Sequence, residues 1–85
     1  MQSVLSNDEE TILALVTESF PGHVVDPSVV KLNRPEGDIE MLRITLDGQA
    51  AAEMERSQIE SSAVAPQFLA NQLKAELHRQ LPHVA

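Results

Sequence analysis

Between Asp38 and Asp47 the chain alternates more cleanly than anywhere else, with Leu42, Ile44 and Leu46 on one side at period two and Met41, Arg43 and Thr45 on the other. That is the signature of a half-buried antiparallel strand. A strand of this kind hides one face only, so the remainder of the chain has to supply a partner strand and the helices that cover it.

The partner precedes it. His23 to Leu32 is β-branched and extended, with Pro27 confining its early part to an edge or a bend, which leaves Ser28 to Asn33 as the expected paired portion. Arg34-Pro35-Glu36-Gly37 then puts proline second and glycine fourth, the chemistry of a type I turn joining two antiparallel strands.

Helices flank the hairpin. Ser6-Asn7-Asp8-Glu9 has the residues of a capping box, and Asp8, Glu9 and Glu10 sit where a helix dipole favours anions. Ile12, Leu13, Leu15, Val16 and Phe20 form the apolar stripe that follows, and Phe20-Pro21-Gly22 stops it. Beyond Gly48, residues Gln49 to Ser62 read as a weak helix whose alanines, Met54 and Ile59 match no stripe well. From Pro66 a core helix carries Leu69, Leu73 and Leu77 at i, i+4 spacing, flanked by Phe68, Ala70 and Leu81, with Pro82 closing it before the tail His83-Val84-Ala85. The expected fold is therefore α+β: a small two-layer domain with an antiparallel hairpin or sheet packed on helices, in the order α-β-β-α-α, and one domain over residues 1–85.

Composition limits what such a domain can do. At 85 residues folding hides only roughly 60 to 65 per cent of the surface that the unfolded chain exposes, and Phe20 and Phe68 are the only aromatics, so the core is thin and aliphatic. Burying an apolar face against a second copy offsets that shortage, so a homodimer is expected. The absence of cysteine removes disulfides, thiol catalysis and cysteine-ligated metals, and fits a cytoplasmic location. Neither a secretory leader nor a membrane-spanning run is expected. The net charge of −7, with Lys31, Arg34, Arg43, Arg56, Lys74 and Arg79 scattered along the chain, argues against nucleic acid, which needs a basic stripe.

No reaction is written in the sequence. Gly22, Gly37 and Gly48 are isolated turn residues rather than a phosphate loop, no serine lies in a nucleophile elbow, and Glu36, Asp38 and Glu40 lack the spacing of a calcium loop. A metal site would need His23, His78 and His83 to converge with a carboxylate such as Asp26.

Some short stretches resemble a family. A first helix ending in Phe20-Pro21-Gly22, then Val24-Val25-Asp26-Pro27-Ser28, a second strand, and a last helix whose Leu73-Lys74-Ala75-Glu76-Leu77 leads to His83-Val84-Ala85 resembles the BolA-like family. The resemblance implies a KH-like α/β fold, an iron–sulfur cluster shared with a monothiol glutaredoxin, and DNA-binding regulators among bacterial members. Ala65-Pro66-Gln67 stands where the family opens its last helix with basic residues, and His83 is the one position matching a family cluster ligand.

The function expected from these readings is that of an acidic, non-enzymatic protein-interaction or regulatory module without a cofactor, binding a protein partner and self-associating through the outer face of the hairpin at Val29, Met41 and Arg43. The alternatives are a BolA-like regulator or cluster-trafficking partner, and a metal or small-molecule binding protein.

Overall fold

The computed structural model describes residues 5–61 and 64–84, with backbone alone for residues 61 and 82–84. The chain runs through α1 (Asn7–Ser19), β1 (Val25–Leu32), β2 (Ile39–Leu46), β3 (Ala50–Glu55), α2 (Arg56–Ser61) and α3 (Pro66–Val84). It is a two-layer α+β domain in which the helices lie on one side of an open antiparallel sheet ordered β1-β2-β3.

Local chemistry sets the boundaries of α1. The Ser6 hydroxyl accepts from the Glu9 N–H at 3.2 Å and the Glu9 carboxylate accepts from the Ser6 N–H at 2.8 Å, so both arms of the capping box form. Phe20 leaves the helical region and Gly22 adopts φ 85°, a left-handed turn that glycine takes without strain, before the chain enters β1. The first hairpin closes where Arg34 and Gly37 were expected to meet, the Gly37 N–H donating to the Arg34 carbonyl at 3.0 Å.

Leu42, Ile44 and Leu46 of β2 and Ala50, Ala52 and Met54 of β3 all point to the helix layer and are buried. There they join Ile12 and Val16 of α1, Ile59 of α2 and Leu69, Leu73 and Leu77 of α3 in one core. Each fully buried Leu or Ile contributes roughly 1.5 to 3 kcal/mol of burial, which makes β2 the energetic centre of the sheet. Ala50 and Ala52 have almost no side chain, so α3 can lie directly over β3.

Three expectations are corrected. Residues 49–62 are not one helix, since their first half is the third strand; residue 62 itself lies outside the described residues. The poor β propensity of alanine hid an alternation at Ala50, Ala52 and Met54, and the turn before it was informative: Asp47 and Gly48 have φ 56° and 70°, and the Gln49 N–H donates to the Leu46 carbonyl at 3.0 Å. Pairing in β1 starts at Val25 rather than Ser28, with Pro27 opposite Ile44, because the missing N–H of Pro27 falls on the free edge. Finally, α3 continues through Pro82 to Val84, since the proline ring removes one N–H yet keeps a helical φ.

Candidate functional site

Register assigns every strand residue to a face. Val25, Pro27, Val29 and Lys31 stand opposite Leu46, Ile44, Leu42 and Glu40, and so share the helix-side face. Asp26, Ser28, Val30 and Leu32 stand opposite Thr45, Arg43, Met41 and Ile39 on the outer face, which β3 continues with Ala51, Glu53 and Glu55.

Two rows of that outer face are apolar. Leu32 pairs with Ile39, and the next row holds Val30 and Met41 with Glu55 at its end. All four apolar residues are half-buried, and no described helix packs over them. The following row carries Ser28, Arg43 and Glu53, where the Arg43 Nε donates to Glu53 at 2.6 Å. A contiguous aliphatic quartet bordered by one cation and two carboxylates is thus the principal apolar feature of the open face.

Both edges of the sheet are blunted in part. Paired residues along an antiparallel strand alternately turn their N–H and C=O inward and outward, and the Val24 carbonyl accepts from the Asp47 N–H at 2.8 Å, so Val25, Pro27, Val29 and Lys31 turn theirs to the free edge. Pro27 interrupts that row of donors. On the other side the Gln80 carboxamide clasps β3, its Nε2 donating to the Ala51 carbonyl at 2.8 Å and its Oε1 accepting from the Ala51 N–H at 3.1 Å.

A charged cluster holds the sheet to the helices. Glu9 is 1% exposed, and Arg56 grips it through Nε and Nη2 while its Nη1 donates to Glu40 at 3.1 Å. Burial pushes the Glu9 carboxyl up, but the Arg56 hydrogen bonds and charge together with the Ser6 N–H outweigh it, holding the group below the usual glutamate range. The Glu9 hydrogen bonds raise Arg56 in turn. At the far end of the sheet Asp47 accepts from His23 Nδ1 at 2.6 Å and from the Val24 N–H at 2.7 Å, and these bonds lower its pKa.

Of the residues singled out from sequence, Met41 and Arg43 lie on the outer face, whereas Val29 lies opposite Leu42 on the other. Val30, Leu32 and Ile39, which complete the apolar rows, went unnoticed. The histidines are dispersed: His23 is bound to Asp47, His78 lies against Phe20 with ring centroids 4.6 Å apart and the planes tilted by 39°, and His83 is in the last turn of α3 with its side chain outside the described residues. No group of three His, Cys, Asp or Glu side chains converges among the described residues, and no described helix is long and apolar enough to cross a membrane.

Fold and site together define a small α+β domain with an open-faced three-stranded sheet. No family model, no curated protein and no solved structure matches this chain.

Proposed function

We propose that this protein is a non-enzymatic interaction module that pairs with a second copy of itself, outer face to outer face. The observation carrying this reading is the quartet of Val30, Leu32, Ile39 and Met41 in adjacent cross-strand rows on the side of the sheet that the helices leave open. Pro27 breaks the donor row of the β1 edge and the Gln80 clasp occupies Ala51 on the β3 edge, so neither edge offers an unbroken row to a second copy, which leaves the face. Two such faces pack about 10 Å apart, and aliphatic rows without aromatics make a flat surface suited to its own copy rather than to a projecting anchor.

Dimensions set the strength. Strands about 4.8 Å apart, rising about 3.3 Å per residue, give a face of roughly 14 by 26 Å. This is below the about 800 Å² per partner of a standard interface, so the dimer is a weak one. With −7 on each copy, association strengthens as salt screens the repulsion.

Dilution of isotope-labelled protein, followed residue by residue by NMR, tests the reading. Concentration-dependent shifts should cluster at Val30, Leu32, Ile39, Met41 and Arg43. Spectra unchanged from the micromolar to the millimolar range, or shifts confined to the helices, would contradict it.

A further inference from the structure

We infer that the groove between β3 and α3 is a binding site for a short extended peptide of another protein, one that alternates apolar and basic side chains. This site meets the outer face at Arg43 and Glu53 and extends from there to α3, away from the apolar quartet. The cavity, about 530 Å³, runs between the strand edge at Ala51 and Glu53 and the helix at Gln72, Leu73 and Glu76, with Arg43 at its rim.

The Gln80 clasp shows what the edge accepts. Its carboxamide engages the Ala51 N–H and C=O together, which is the pairing that a peptide unit of a fourth strand would make. Because Ala51 turns both groups away from β2, alternation turns those of Glu53 the same way, towards the groove. Among the described residues no side chain takes them up.

Helix and strand are in step along this groove. Phe68, Gln72, Glu76 and Gln80 recur every fourth residue and so form one stripe of α3, advancing about 6 Å per step. Outward-facing residues of β3 advance about 6.6 Å per pair. Gln80 closes the first step at Ala51, and the next step leaves Glu53 open opposite the middle of the stripe. One turn beyond the cavity lining the stripe ends in Phe68, which is 61% exposed and offers an apolar anchor to a peptide that runs on past Gln72. Glu53 and Glu76 line the groove but are already held by Arg43 and Arg79, so the net charge of −7 on the chain is what selects basic rather than acidic side chains.

The test uses the full chain and an end-capped peptide alternating valine and arginine, followed by NMR at low salt. Binding should move the Glu53 amide together with Gln72 and Phe68. Methylating the central peptide nitrogen, which removes a strand donor, should abolish binding, and Phe68→Ser should weaken it about tenfold. Failure to bind at millimolar peptide would overturn the assignment. So would binding indifferent to N-methylation and to Phe68→Ser, or shifts centred on Val30 and Met41.

Discussion

Arg56 holds Glu9 by a two-pronged bond across 47 positions of sequence, Nε to Oε2 at 2.7 Å and Nη2 to Oε1 at 2.9 Å, so that the start of α2 is fastened to the first turn of α1. The carboxylate is buried, and removing the guanidinium leaves its charge unneutralised, with the Ser6 N–H still donating to it. Arg56→Ala is therefore expected to cost about 3 to 5 kcal/mol in urea unfolding. Arg79→Ala, which breaks an exposed pair with Glu76 on the surface of α3, should leave the midpoint unchanged within error.

The same pair predicts a pH signature. With Arg56 present the folded carboxyl of Glu9 titrates below the ordinary value of 4.5, so its contribution is present above that pH and lost as pH falls through the depressed value. In Arg56→Ala burial still raises Glu9 and only the Ser6 bonds remain to lower it, so its folded value lies higher than in the unaltered chain and the variant loses less stability from this group on acidification. The stability difference between the two proteins should narrow as pH drops through about 4.5. A gap that stays constant from pH 7 to pH 3.5 would place the effect elsewhere than in Glu9.

The two faces of β2 should respond unequally to truncation. Ile44 is wholly buried, and Ile44→Ala is expected to lose about 2 to 4 kcal/mol from transfer and cavity costs together. Arg43→Ala, on the open face, should lose far less at a concentration where the protein is monomeric. Similar losses at both positions would mean that both faces of the sheet are covered.

The second hairpin depends on backbone geometry. Gly48 holds φ +70° with open space around it, so an added Cβ meets no neighbour but forces an L residue into the left-handed region. Gly48→Ala should cost about 1 kcal/mol by thermal or chemical unfolding, with the sheet otherwise preserved. Asp47 sits in the same region at φ 56°, which aspartate tolerates, and adds its bonds to His23 and the Val24 N–H.

Much of this fold could be read before any coordinates. The capping box at Ser6 and Glu9, the stop at Phe20-Pro21-Gly22, the turn at Arg34 to Gly37 and the buried row Leu42, Ile44 and Leu46 all follow from local rules, and all are present. The third strand escaped because alanine packs beneath α3 for reasons of size that belong to tertiary structure rather than propensity. Its entry signal, Asp47-Gly48, was legible as a hairpin turn. Val29 was assigned to the wrong face although the information lay in the turn, since counting outward from Arg34 to Gly37 pairs Leu32 with Ile39 and hence Val30 with Met41. The Glu9 to Arg56 bond and the Gln80 clasp were not legible, because each joins residues that only the fold brings together.

Sedimentation equilibrium of the intact chain and of Met41→Lys, over a hundredfold range of concentration at low and high salt, bears most directly on self-association through the outer face. The unaltered chain should pass from 9.3 kDa towards twice that mass as concentration rises, and at lower concentration in high salt. Met41→Lys, whose side chain stands on the open face between Val30 and Glu55, should keep its fold and remain at the monomer mass throughout. A chain that stays at 9.3 kDa at every concentration and salt, or a Met41→Lys variant that dimerises as the unaltered chain does, would contradict the account.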